Sequence, residues 1–96
     1  MDYSATIVAQ AHVTKPDALR LIAKAVGSTV QDSGTAHPFV PLVGGGRVEV
    51  EIPKFGEAPP LAIDVYNLHG ADQARASAVS LQAALTGVTD WPTEVR

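Results

Sequence analysis

The start of the chain alternates apolar and polar residues and then changes to a helical spacing. Along residues 3–13, one side of an extended strand would carry Tyr3, Ala5, Ile7, Ala9, Ala11 and Val13. This alternation is typical of a β-strand with one buried face and one face in contact with water. From Thr14 onwards the apolar residues recur at helical spacing, so the sequence predicts a strand followed directly by a helix.

The first helix has a clear start and an ambiguous end. Thr14 can cap it and Pro16 lies in the first turn, where a missing N–H is tolerated. One face would carry Leu19, Ile22, Ala23, Val26 and Val30. Because these apolar residues keep helical spacing beyond Gly27, we expect the helix to continue to about Asp32. Gly27 leaves open a shorter helix that ends just before it.

Two further strands and a short edge strand are predicted in the remainder of the chain. Residues 47–52 and residues 61–66 both alternate as the first strand does. Residues 91–95 read as an extended piece. Pro92 confines that piece to the edge of a sheet, because proline cannot donate to a strand ladder.

The second helix is predicted to begin at Gly70 and to end at Gly87. Its apolar stripe consists of Ala71, Ala74, Ala78, Leu81 and Leu85, and these small residues allow a close approach to a sheet.

Residues 33–46 are the least regular part of the chain. Pro38 and Pro41 exclude a central strand there.

The order β-α-β-β-α-β resembles the ferredoxin-like, split β-α-β pattern. The resemblance implies an α+β fold, in which an antiparallel sheet carries both helices on one face. Leu85-Thr86-Gly87-Val88 followed by an extended piece is similar to the last helix-to-strand passage of such domains, among them metal chaperones and amino-acid sensors. The chain has no cysteine, so the paired-cysteine loop of the metal chaperones is absent and their function is not implied.

A second layout stays open, in which residues 38–43 pair as a strand with residues 47–52. It gives a strand followed by an α-β-β-β-α two-layer sandwich, and its core resembles double-stranded-RNA-binding domains. Those domains present lysines at the start of the last helix. This chain has Gly70, Asp72 and Gln73 there, which favours the first layout.

Composition and charge exclude several classes of function. The 96 residues are 46% hydrophobic and 18% charged, as in a packed globule, and we expect one α+β domain over residues 1–96. The formal net charge is −3 and no run of Lys or Arg occurs, so no nucleic-acid partner is expected. No apolar run reaches the ~20 residues of a membrane span, and no membrane partner is expected.

The sequence also suggests a compartment and a source. The opening residues MDYSAT lack the apolar segment of a signal peptide. We therefore expect a soluble, cytoplasmic protein. Usage rich in Ala, Val and Gly and poor in Lys indicates a bacterial or phage source with GC-rich DNA.

The polar face of the predicted sheet is the candidate functional surface. The third strand should lie between the other two and run antiparallel to both, so Asp64 must face either Glu49 or Glu51. Like charges directly opposite on a sheet are unfavourable by up to roughly 1 kcal/mol. A cationic partner would offset that cost. The candidate binding residues on or beside this face are Gln10, His12, Glu49, Glu51, Asp64 and Tyr66.

A plainer interpretation needs no partner at this surface. Arg47, Lys54 or His12, together with water, can screen the acidic side chains. Tyr66 is the one aromatic residue of the predicted face, which is too few for an RNA-recognition sheet that stacks two or three bases.

No arrangement of residues indicates catalysis or a metal. His12 and His69 should lie at opposite ends of the sheet, roughly 25 Å apart from strand rise alone, and His37 precedes a proline in the irregular stretch. The glycines at 44–46 lead into a strand rather than a helix, unlike a phosphate loop. We expect no cofactor, no metal and no catalytic residue.

Two classes of function remain open from the sequence. The first is a non-catalytic interaction or assembly module that binds a protein partner or a second copy of itself through the polar sheet face or an edge strand. The alternative is a small-molecule sensor or small enzyme with a pocket at the sheet edge or at a dimer interface. In that alternative Tyr66, His12 and Asp64 or Glu49 would hold the ligand.

Overall fold

A computed structural model of the protein describes residues 3–11, 13–32, 34–35, 38–42, 45–51 and 61–96. These residues form a small α+β structure with one antiparallel sheet and two helices. In chain order the elements are β1 (Tyr3–Ala9), α1 (Lys15–Val26), β2 (Val40–Pro41), β3 (Arg47–Glu51), β4 (Leu61–Asn67), α2 (Ala71–Thr86) and β5 (Thr93–Val95).

The sheet has the strand order β2-β3-β4-β1-β5, and every neighbouring pair runs antiparallel. β4 therefore lies between β1 and β3, as the sequence predicted. Ile63 of β4 faces Ile7 on one side and Val50 on the other, which fixes the register across the three strands.

Strand β2 is an addition to the preferred layout. Val40 and Pro41 pair with Val48 and Arg47, as the second layout expected for this segment. The final strand of the first layout also forms, so the observed order combines elements of both. Within β2, Pro41 acts as predicted, because it lies on an edge strand at a position whose N–H would point away from β3.

Helix α1 ends at Val26, and the expectation that it continues to Asp32 was wrong. Gly27 adopts the left-handed conformation at φ 69°, and its N–H donates to the Ala23 carbonyl. This turns the chain out of the helix, and Gln31 instead forms a β-bridge with Phe39. The start was predicted correctly, since the Thr14 hydroxyl accepts a hydrogen bond from the Asp17 N–H at 3.2 Å.

The other elements agree with the sequence within a few residues. α2 lies between Gly70 and Gly87 as predicted. β1 ends at Ala9 and not at Val13, because its ladder stops where Ala9 meets Leu61, the first residue of β4. The expected strand residue Ile52 and the loop 53–60 lie outside the described residues.

Both helices pack against the same side of the sheet. The buried residues of α1 and α2 form one apolar cluster with alternate residues of the strands. Its largest fully buried side chains are Ile7, Leu19, Ile22, Val40, Val48, Val50, Leu61, Ile63, Val65, Leu81 and Leu85. Burial of each contributes about 1.5–3 kcal/mol to folding. Neither described helix has the length and apolarity to cross a membrane.

Candidate functional site

The side of the sheet that faces away from the helices is the candidate site, and we call it the outer face. Period-two alternation along the strands places there Ser4, Thr6, Val8, Gln10, Arg47, Glu49, Glu51, Ala62, Asp64, Tyr66, Glu94 and Arg96. Each of these residues is half-buried or exposed, whereas the residues between them in β1, β3 and β4 are buried. The outer face is therefore a broad, solvent-accessible surface of the sheet.

A row of polar residues crosses the centre of the outer face. Glu49 of β3 lies directly opposite Asp64 of β4, and Asp64 lies opposite Thr6 of β1. The Thr6 hydroxyl donates a hydrogen bond of 2.7 Å to Asp64 Oδ1. This bond orients the Asp64 carboxylate, and Glu49 remains the residue directly opposite Asp64 on β3.

Arg47 supplies a cation at one end of this row. Its Nε donates to Glu49 Oε2 at 3.0 Å, and its guanidinium carbon lies 4.3 Å from the centre of the Tyr66 ring. A guanidinium at this distance from an aromatic ring is attracted to it. Arg47 thereby links Glu49 to Tyr66 and partly screens the acidic row, as the plainer interpretation proposed.

The surroundings of Tyr66 favour its neutral form. Burial raises the pKa of the phenol above its ordinary value of 10.0, and the negative charges of Asp64, Glu49 and Glu51 raise the pKa further, while Arg47 acts in the opposite direction. At neutral pH the phenol therefore keeps its proton and can donate a hydrogen bond from the outer face.

The outer face carries more negative than positive charge. Its carboxylates are Glu49, Glu51, Asp64 and Glu94, against the guanidinium groups of Arg47 and Arg96. Four negative and two positive groups give the described face a charge of −2. Glu51 lies opposite the uncharged Ala62, so its exposed carboxylate adds to the acidic character without an opposite charge across the ladder.

A shallow depression lies where the outer face meets strand β5. It has a volume of about 390 Å³ and is lined by Val8, Gln10, Pro92, Thr93, Glu94 and Arg96. Gln10 follows the end of β1, and its N–H donates to the Pro92 carbonyl at 2.9 Å. Glu94 and Arg96 form an exposed ion pair of 3.7 Å at its rim.

The structure places five of the six candidate residues on or beside the outer face. These are Gln10, Glu49, Glu51, Asp64 and Tyr66, whereas His12 lies outside the described residues, as do Lys54 and His37. Glu49, Asp64 and Tyr66 occupy neighbouring positions, but Gln10 lies towards the β5 edge. Among the described residues, no three side chains of the His, Cys, Asp and Glu types are grouped so that they could hold a metal.

Sequence reasoning missed two charged residues of the outer face, Glu94 and Arg96. The signal was present, because they alternate with the half-buried Thr93 and Val95. Three strand residues after a proline give a weak pattern, however, and the pairing of β5 with β1 is needed to assign their side.

Comparison of the chain with protein-family models, with curated proteins and with solved structures gives no match. Function must therefore be argued from the geometry of the outer face.

Proposed function

We propose that this protein is a non-catalytic interaction module that docks through its outer face onto a positively charged segment of a protein partner. The observation that carries the proposal is the direct opposition of Glu49 and Asp64 at the centre of the sheet. Such a pair lowers the stability of the free protein by up to roughly 1 kcal/mol. A lysine or arginine side chain placed between the two carboxylates would convert this repulsion into attraction.

The charge of the outer face supports an unlike partner in preference to a second copy placed face to face. Two copies would bring a charge of −2 against an equal charge, with the Glu49–Asp64 rows close to each other. Like-charge contacts across an interface cost several kcal/mol and exclude wrong partners. A basic segment meets no such repulsion. The negative electrostatic potential of the outer face would also increase its rate of association.

The strand order also supports a ferredoxin-like fold for this single domain. Apart from the two-residue strand β2, the order is β3-β4-β1-β5, in which the strand before α1 and the strand before α2 are central neighbours. This interleaving of two β-α-β units is what the split β-α-β pattern describes. The cytoplasmic location and the bacterial source stay predictions.

A titration with a lysine decapeptide, followed by amide NMR shifts, tests the proposed docking. We expect the largest shifts on the outer face around Thr6, Glu49 and Asp64. The double variant Glu49→Gln, Asp64→Asn should bind the peptide about tenfold more weakly, as expected when two close charge pairs are lost.

The matched control for this titration is the double variant Asp72→Asn, Asp90→Asn. It changes the net charge equally at two exposed positions outside the outer face. An equal loss of affinity in both double variants, or shifts spread evenly over the protein, would contradict docking at this surface.

The depression beside β5 supports a second candidate function, the binding of a small molecule at the sheet edge. Its volume of about 390 Å³ falls within the usual range of ligand pockets, and it combines the Gln10 amide with the charges of Glu94 and Arg96. A thermal-shift screen against a metabolite panel tests it. A stabilising compound whose effect is lost in Gln10→Ala and kept in Asp64→Asn would support this site, and the reverse result would place the pocket elsewhere.

A further inference from the structure

Strand β5 has one edge that pairs with no other strand of the described residues. It is the last strand in the sheet order and pairs with β1 on its other side. The N–H and C=O groups of Arg96 both bond to Thr6, at 2.7 and 3.2 Å. Because successive residues of an antiparallel strand direct these groups to opposite sides, Thr93 and Val95 direct theirs away from β1.

Helix α2 already covers part of this edge. The Gln82 side-chain amide donates to the Thr93 carbonyl at 3.3 Å and to the Thr93 hydroxyl at 3.1 Å. Within the described part of the chain, the outward N–H and C=O of Val95 bond to no other residue. Val95 is thus the position at which β5 can accept another strand.

We propose that a second copy of this chain docks on the β5 edge, with the two strands antiparallel and the two-fold axis at Val95. Val95 and Val95 of the partner subunit would exchange two backbone hydrogen bonds, as residues of a hydrogen-bonded antiparallel pair do. This joins the two sheets edge to edge and leaves both outer faces open on the same side. The inference therefore goes beyond docking of a basic segment and does not depend on it.

Charge complementarity selects this register. With the two-fold axis at Val95, residue 94 of each copy lies opposite residue 96 of the other copy. Glu94 then lies opposite Arg96 of the partner subunit, and Arg96 lies opposite Glu94 of the partner subunit. With the axis at Glu94, two glutamates would face each other and the paired residue Thr93 would have to give up its bond to Gln82. The Val95 register avoids both costs.

An exposed apolar residue of α2 lies on the same side of the molecule. Val79 is 49% exposed and lies about one helical turn before Gln82. β4 and β5 are both antiparallel to β1, so the connecting helix α2 runs opposite to β5. Counting back from the contact between Gln82 and Thr93, we infer that the turn containing Val79 lies near the level of Val95. The Val95 side chain points to the helix side of the sheet and is half-buried. In the dimer, the two Val95 side chains would fill the space between the two α2 helices beside Val79.

Sedimentation velocity over a concentration series from low micromolar to millimolar tests the dimer. We expect the mass to rise from that of a 10.0 kDa monomer to twice that value. Glu94→Lys and Arg96→Glu should each weaken association by about tenfold, because each turns two attractive cross-strand pairs into repulsive ones. The double variant Glu94→Lys, Arg96→Glu restores opposite charges in both pairs and should associate within about threefold of the wild type.

A backbone variant provides a test that does not depend on charge. Val95→Pro removes the outward N–H and no bond to β1, so the monomer should still fold, as circular dichroism can verify, but it should not dimerise. A wild-type protein that stays monomeric at millimolar concentration would overturn the proposal. So would association that is insensitive to the single charge changes, or a double variant that does not recover. The measurement uses no peptide, so its outcome is separate from that of the peptide titration.

Discussion

Glu49 and Asp64 face each other across the two strands β3 and β4, and each carboxylate has a separate partner. Arg47 pairs with Glu49 at 3.0 Å, while the Thr6 hydroxyl binds Asp64 at 2.7 Å. The two acidic groups are therefore held by different neighbours and share no cation between them in the described part of the chain. We therefore expect their repulsion to be measurable in the free protein.

We predict that a double-mutant cycle on this pair gives a repulsive coupling energy. Asp64→Asn keeps an oxygen that can accept the Thr6 hydrogen bond but removes the charge. Asp64→Asn should raise the free energy of unfolding in the wild type, and this increase should exceed the one in the Glu49→Gln background by about 0.2–1 kcal/mol. That difference is the coupling energy. Urea denaturation measures the four free energies.

Added salt provides the control for this cycle. Screening shortens the reach of exposed charges, so the coupling should shrink at high ionic strength. Glu51→Gln provides a comparison, because Glu51 faces the uncharged Ala62. A coupling of zero or of attractive sign at low salt would show that the two carboxylates do not repel each other.

We predict that the pKa of Tyr66 responds to its charged neighbours. The chain has two tyrosines, so the variant Tyr3→Phe leaves Tyr66 as the sole phenol for a spectroscopic titration. Burial is the largest cause of its raised pKa, followed by Asp64 and Glu49, and Arg47 acts against them. Asp64→Asn should therefore lower the pKa and Arg47→Met should raise it. Shifts in the opposite directions would contradict the observed arrangement.

The same shift predicts how stability changes in alkali. Because the phenol binds its proton more tightly in the folded state, its contribution is fully present below the unfolded pKa of about 10 and is lost as pH rises through the folded pKa. The variant Tyr66→Phe has no ionisable phenol, so its free energy of unfolding does not contain this pH-dependent contribution. From pH ~9 to ~11, the wild type should lose more unfolding free energy than this variant, as measured by urea denaturation. Equal losses would show that Tyr66 is not coupled to folding.

The faces of the strands followed from the sequence, but the register did not. Period-two alternation placed Glu49, Glu51 and Asp64 on one side, because a shift by one residue would bury charges. A shift by two residues keeps every side chain on its face, so Asp64 could have met either glutamate. The residues that connect the two strands in the sequence show no pattern that decides between these two registers.

The end of α1 and the strand β2 were decided by contacts distant in the sequence. Val30 continues the apolar stripe of the helix and does pack on the core, but from an extended segment. The left-handed Gly27 allows this path, and the bridge from Gln31 to Phe39 stabilises it. The second layout did expect a strand within residues 38–43, but two paired residues are too short a pattern to decide between the two layouts.

We predict that the N-cap of α1 contributes measurably to stability. The Thr14 hydroxyl accepts the Asp17 N–H, one of the donors that a helix start leaves without a partner. Thr14→Ala should lower the free energy of unfolding by about 1 kcal/mol, whereas Thr14→Ser keeps the acceptor and should cost little. Chemical denaturation of both variants measures the difference. Equal effects of the two substitutions would assign the loss to the missing methyl group and not to the cap.

Gly46 controls how closely β3 approaches β4, and we predict that it tolerates no side chain. A Cβ at this position would lie 2.5 Å from the Tyr66 carbonyl oxygen, a backbone atom that can move only if the strands separate. Gly46→Ala should therefore lower the free energy of unfolding by about 1–3 kcal/mol. Because Arg47 follows directly in the chain, the same displacement should weaken its contact with the Tyr66 ring and shift the phenol titration.

Gly87→Ala is the matched control for this prediction. Gly87 has right-handed helical angles of φ −78° and ψ −18°, and its nearest neighbour would lie 3.4 Å from the added Cβ. The substitution should change stability by about 0.5 kcal/mol or less, in either direction. If Gly46→Ala destabilised the protein no more than Gly87→Ala does, the close approach at Tyr66 would not be what requires a glycine. If the Tyr66 titration were unchanged in Gly46→Ala, the prediction that Gly46 controls the contact between Arg47 and the Tyr66 ring would be wrong.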